Sequence, residues 1–216
     1  MKLSRFTRYM LKLIPNFLLI KILYRLPKFK FFKETLNTQT PISFNTWYNQ
    51  KVKGHCSEAY WPVHKNSIVV NPMNVYCGIE TSPGYSPGNY IQAIGKISIG
   101  NYTQIAPNVG IISANHALED NRKHIIKDVK IGKYCWLGMN SVIMPGVELG
   151  DYTIVGAGAV VTKSFKEGYC VIGGNPAKKI KTIDKGSCVF HRSDNEYNGY
   201  IKSEDFEEYR RLNLNV

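Results

Sequence analysis

A chain of 216 residues with 44% hydrophobic residues has material for one domain plus extensions. Its net charge of +12 is unevenly placed: nine basic residues precede the first acid, Glu34, leaving +3 for the chain from Glu34 onward. That distribution excludes a uniformly basic nucleic-acid binder. Five cysteines without a C-x-x-C pair are neither a disulfide framework nor a zinc-finger set, and they fit a reduced, cytoplasmic protein.

In chain order, residues 1–60 read as a basic, partly helical extension. The stretch from Tyr9 to Leu26 is apolar, but Lys12, Pro15, Asn16 and Lys21 interrupt it, which suits neither a spanning helix nor a cleavable leader. Phe6, Met10, Leu13, Ile14, Phe17 and Leu18 alternate with basic residues at helical spacing. This predicts an amphipathic helix that either touches an anionic membrane surface or packs on the protein itself or a second subunit. Trp47, Tyr48, Tyr60 and Trp61 read as anchors for this extension in preference to sugar-stacking rings.

Residues 61–180 carry a period of six. Ile131, Leu137, Ile143, Leu149, Val155 and Val161 are six apart, and small or β-branched residues follow four places later at Cys135, Ser141, Val147, Thr153 and Ala159. Ile99, Ile105 and Ile111 repeat the pattern, and Val63, Val69 and Val75 give a looser version. A period of six fits a solenoid whose triangular coils each use three hexapeptides, with both residue classes pointing inward. Asn108, Asn140, Gly146 and Gly158 fill the fourth slot, where a sharp corner needs φ > 0. The fold class is therefore mainly β, a parallel β-helix. Two interruptions stand out as loops, at 81–89 and 112–130; the second holds two of the five histidines. Residues 181–216 form a C-terminal extension with one short helix. Ser203 is placed as its N-cap, with Glu204 and Asp205 in the first turn and Arg210 and Arg211 near the end.

Several segments together resemble the hexapeptide-repeat acyltransferases. They are I-G-N-Y-T-Q-I-A-P-N-V (99–109), N-H (115–116), C-W-L-G-M-N-S-V-I-M-P-G-V (135–147), V-G-A-G-A-V-V-T-K (155–163) and G-G-N-P-A-K (173–178). The similarity is to the branch that O-acetylates sugars and polysaccharides, and it implies a left-handed β-helix. It also implies acetyl-coenzyme A as co-substrate, a carbohydrate acceptor, no metal, and a homotrimer with sites shared between subunits. By position, the resemblance makes His116 the general base and Asn89 a catalytic neighbour near the acceptor. Trp136, Met139, Ala157, Thr162 and Lys163 would line the coenzyme, and Lys178 or Lys179 would meet its phosphates. Asn115, His124 and Tyr85 are candidates for acceptor contact. The first 60 residues and the tail after Lys181 depart from the family's usual pattern, so the acceptor's identity is least constrained by it.

The chemistry fits a histidine. A hydroxyl needs a base to attack a thioester at neutral pH, and an imidazole can take the proton and return it to the leaving thiolate. Glu119, Asp120 or a backbone carbonyl would orient that imidazole, and Asn89 or a nearby N–H would serve the oxyanion. Cys135 occupies an inward slot and reads as core. Acetylation of an amino sugar and a non-catalytic trimeric scaffold are the competing readings; a zinc enzyme on the same solenoid lacks its third histidine.

Overall fold

The computed structural model describes residues 4–216. Its body is a left-handed parallel β-helix with three faces. The first face stacks Ile68–Val70, Tyr90–Gln92, Gly110–Ile112, Val142–Ile143 and Val160–Val161. The second stacks Val75–Cys77, Ile97–Ile99, Val129–Ile131 and Glu148–Leu149, with Phe165 bridging to Leu149. The third stacks Gln104–Ile105, Trp136–Leu137, Thr153–Val155 and Cys170–Gly173, and Lys178–Thr182 then returns antiparallel along its last strand.

Register explains the sequence period. Ile91 pairs with Ile111, Ile111 with Ile143, and Ile143 with Val161, so aliphatic side chains form columns inside the helix. Ile105, Leu137, Val155 and Ile172 form the corresponding column on the third face. Nearly all of these are fully buried, as are the small residues Val109, Cys135, Ser141, Val147, Thr153 and Ala159 between them. Each buried Val, Leu or Ile contributes about 1.5–3 kcal/mol relative to exposure. Thr103 and Thr153 remain tolerable inside because their hydroxyls donate to the carbonyls of Gly132 and Gly150.

The corner slot divides into two kinds. Where the third face turns into the first, Asn108 and Asn140 sit at φ 60° and Gly158 at 69°. Where the second face turns into the third, the same left-handed conformation is held by Tyr102, Tyr134 and Tyr152 at φ 59°, 55° and 54°, with Tyr169 at 46°. A bulky residue at positive φ is strained, and these rings compensate by stacking in a ladder with centroids 5.2, 5.1 and 5.5 Å apart. Phe190 and His191 meet the ladder edge-on. The Tyr134 and Tyr152 hydroxyls donate to the His191 and Val189 carbonyls, and that of Tyr102 donates to Glu196. The tail thus runs as a strap over the tyrosine corner.

Both interruptions are more built than the sequence suggests. Residues 81–89 form no strand, yet Thr81, Ser82, Pro83 and Gly84 are buried and close the third side of the first coil. The Trp61 indole N–H donates to the Pro83 carbonyl at 2.7 Å, which ties that segment down. In place of a loop over 112–130, a hairpin of Ala114–His116 and His124–Ile126 projects from the third coil.

The extensions meet at the first coil. Helix α1 (Arg5–Leu13) and helix α2 (Asn16–Leu23) are separated at Pro15. Leu19, Leu23, Phe29, Phe31, Phe32, Trp47 and Val52 form a second core, joined by Tyr197 from the tail. Buried Gln50 pins this core to the coils. Its amide donates to the Ala59 and Trp61 carbonyls, and its oxygen accepts from Val63 N–H and the Tyr200 hydroxyl. Trp47, Tyr60 and Trp61 are buried, as anchors should be. The C-terminal helix, Ser203–Asn213, lays Phe206 against Tyr60 at the end of the solenoid. Its N-cap is Lys202, one residue earlier than expected, because the Ser203 hydroxyl bonds Asn198 instead of capping.

Candidate active site

The hairpin brings His116 directly opposite His124, with ring centroids 4.6 Å apart. His116 Nδ1 is hydrogen-bonded to the Asn121 carbonyl. A carbonyl only accepts, so Nδ1 carries a proton, and the tautomer this selects has its lone pair at Nε2. Of the orienting groups expected, the backbone carbonyl is the one in contact. Asp120 instead accepts from Arg122 at 2.8 and 3.0 Å, with Lys123 at 3.8 Å, and these interactions hold its carboxyl below the usual range, Arg122 contributing most. They brace the turn that supplies the Asn121 carbonyl.

The base of the hairpin is fixed just as closely. Buried Ser113 donates to the Gln92 carbonyl at 2.7 Å and accepts from Gly95 N–H at 2.9 Å, while its own carbonyl accepts from Lys127 N–H. A Cβ on Gly95 would lie 2.6 Å from the Ile126 side chain. Glycine at that corner is therefore what lets the hairpin lean over the coil beneath it.

The sequence-predicted residues separate onto the two edges of the first face. His116 and exposed Asn115 lie past the end of Gly110–Ile112, and Thr162 and Lys163 follow Val160–Val161 on the same edge two coils on. Met139 and Ala157, both exposed, occupy the asparagine and glycine corners on the opposite edge. Trp136, 55% exposed, points outward from the third face beside that edge. Lys178 and Lys179 are exposed on the returning strand of the third face. A single chain does not bring these two groups together.

Two of the predicted residues have hydrogen-bond partners within the chain. Asn89 is buried within the corner before Tyr90–Gln92, on the edge away from His116, and its amide donates inward to the Ala106 carbonyl at 2.8 Å. Within one chain it braces a corner on the Met139 and Ala157 edge and does not meet His116. Tyr85 directs its hydroxyl to the Pro41 carbonyl at 2.9 Å, which fastens the N-terminal extension. Cys135 is core as expected, its thiol pushed up to about 12 by burial.

What sequence reasoning missed is the tyrosine ladder. Its signal was present as G-x-Y at 100–102, 132–134 and 150–152, always three residues after the inward aliphatic. Beside it lies a groove of about 330 Å³ walled by Gln39, Gln104, Tyr134, Trp136 and His191. A separate cavity of about 460 Å³ lies between the two extensions, away from the hairpin, over Phe31, Trp47 and Tyr200. Among the described residues, no three His, Cys, Asp or Glu side chains gather as a metal site.

Residues 128–163 match the bacterial transferase hexapeptide family, described as six repeats, over the coils whose columns were traced above. Over that segment the chain carries the hexapeptide repeats that the family model describes. The chain is 38% identical over 97 residues to nodulation protein L of Rhizobium meliloti (strain 1021), an alignment covering 41% of the chain. It spans about half of that relative, 53% of its length. Among solved structures it is similar to a maltose O-acetyltransferase from Clostridium difficile 630, with 27% identity and a TM-score of 0.54 over 76% of this chain and 84% of that one. A galactoside acetyltransferase solved in complex with coenzyme A shares the fold at 22% identity, with a TM-score of 0.53 over 85% of this chain and 88% of that one.

Proposed function

We propose that the chain is an acetyl-coenzyme-A-dependent O-acetyltransferase that acetylates a hydroxyl of a carbohydrate, a surface polysaccharide or its precursor, with His116 as general base. The observation that carries this reading is the tautomer set by the Asn121 carbonyl, which leaves Nε2 basic on an exposed hairpin. The likeness to the maltose O-acetyltransferase supports the substrate class.

His116 Nε2 removes the acceptor hydroxyl proton as that oxygen attacks the thioester carbonyl. The tetrahedral intermediate collapses by breaking its C–S bond, and the imidazolium returns the proton to the departing thiolate. No covalent enzyme intermediate is needed, and Cys135 is too buried to supply one. Exposed Trp136 and Met139 offer apolar surface to a pantetheine chain, with Ala157 and Thr162 beside it. Lys163, Lys178 and Lys179 offer cations to the phosphates.

The split of these residues between two edges supports a homotrimer in which one copy's His116 edge meets its neighbour's Met139 and Ala157 edge. The outward side of the first face suits such contact: Ile68 and Tyr90 are exposed, and Ile112, Val142 and Val160 are half-buried. Asn115 and His124 flank the base and are the acceptor contacts we favour. The domain plan that follows is a catalytic solenoid over 61–180 between two extensions, in a reducing cytoplasmic setting consistent with five unpaired cysteines.

Thiol release from acetyl-coenzyme A across sugars, nucleotide sugars and lipid-linked glycans tests this directly. His116→Ala is expected to lower turnover by about 10² to 10⁴-fold with the fold intact. Wild-type turnover in that variant, or failure of the native protein to bind acetyl-coenzyme A, would overturn the proposal.

A further inference from the structure

The large exposed apolar side chains of this molecule are concentrated at its N-terminal end. Phe6 is 74% exposed, Leu13 61% and Phe17 67%, and Tyr9, Met10, Leu18, Ile22 and Leu26 are also open. Phe6, Met10 and Leu13 stand at i, i+4 and i+7 and form one stripe along α1. The opposite sides of the two helices already have partners: Leu19 and Leu23 are buried in the second core, and Leu11 and Ile14 pack against it. The open stripe is therefore not needed to hold the helices on the body.

Charge decides what the stripe meets. Arg5, Lys12, Lys21, Arg25, Lys28 and Lys30 are all exposed around it, and no acidic residue precedes Glu34. Self-association through this patch would bring like charges together. An anionic bilayer offers opposite charge to the lysines and arginines and an acyl boundary to the apolar stripe. Neither helix is long enough to cross a membrane, at nine and eight residues, so the contact is peripheral.

We infer that α1 and α2 dock in the plane of an anionic phospholipid surface, with Phe6, Met10, Leu13 and Phe17 immersed and the surrounding basic residues at the headgroups. This goes beyond the proposed chemistry and stands independently of it. A solenoid held by its N-terminal end would work beside membrane-linked acceptors without a spanning segment.

The full chain is mixed with vesicles of phosphatidylcholine alone, or of phosphatidylcholine with phosphatidylglycerol, and bound protein is measured by sedimentation. Binding to the anionic vesicles only, weakened by added salt, is the expected result. Phe6→Glu with Met10→Glu and Leu13→Glu should abolish it while light scattering shows an unchanged oligomer mass. Lys12→Gln and Lys21→Gln leave the stripe intact and should each weaken binding about fivefold. Thiol release with a soluble acceptor should be unchanged in these lysine variants, which separates this test from that of the catalytic reading. No binding of the native chain to anionic vesicles overturns the inference. So does a triple variant that keeps vesicle binding but loses oligomer mass, since the stripe would then be covered by a second copy.

Discussion

The two corners flanking the third face use one backbone conformation and opposite side chains. At one, Asn108, Asn140 and Gly158 take positive φ with residues that tolerate it, so the edge stays slender. At the other, Tyr102, Tyr134, Tyr152 and Tyr169 take it despite the steric cost, and stacking plus the 188–196 strap repay the strain. The slender edge carries Met139 and Ala157 and leaves them open. The tyrosine edge is already covered by the chain's own tail. A repeat that looks uniform by its aliphatic period is thus divided by a single slot into a surface left open and a surface closed by the tail.

Substitutions can break this contrast or make it sharper. The largest loss is expected where the two corners are alike. A Cβ at Gly132 would approach Asp151 backbone N to 2.5 Å, and one at Gly138 would approach the Val155 carbonyl to 2.6 Å. Gly132→Ala and Gly138→Ala should each cost about 3 kcal/mol, seen as similar drops in denaturation midpoint. A large inequality would show that coil spacing differs between the corners.

Next comes Tyr134→Ala, which removes two stacking contacts and the anchor for His191. About 2 kcal/mol is expected from lost packing, with faster amide exchange over 188–196. Tyr134→Asn should fare no better, because Asn restores tolerance of φ but not the stack; full rescue by Asn would reverse the account. At the slender corner, Asn140→Ala should cost about 1 kcal/mol for the left-handed backbone alone, and Asn140→Gly close to nothing, by the same denaturation measurement.

The smallest effect is a pH dependence. Burial and then the hydrogen bond to Glu196 push the Tyr102 phenol above its ordinary value. Unfolding then releases a proton from this group once pH passes about 10, so its contribution to stability is constant below that and declines above it. Tyr102→Phe should flatten part of the alkaline decline in a pH series of unfolding curves. An unchanged slope would remove Tyr102 from the strap's hold.

How legible each part was follows from the range of the forces involved. Ile131 to Val161 gave the coils away because an inward column needs an aliphatic residue every sixth place, a condition local sequence can display. His116 was singled out as the histidine at the mouth of the longest polar break, with its role as base implied by the resemblance. Its orienting group was not, because Asp120, Glu119 and several carbonyls were equally near in sequence, and only the folded turn selects Asn121. Asn89 was a site candidate by resemblance and Tyr85 a candidate for acceptor contact; the bonds their side chains make, to Ala106 and Pro41, lie 17 and 44 residues away and were not legible.

By itself, then, the sequence determined the solenoid, its inward columns and its glycine and asparagine corners. Each of these is imposed by a repeating or nearest-neighbour constraint. Only the tertiary structure decided that the tail straps the tyrosine corner, that both extensions build a second core through Tyr197, and that the candidate site is divided between two edges of one face. Those outcomes depend on which distant surfaces meet once the coils have formed, and no local pattern encodes them.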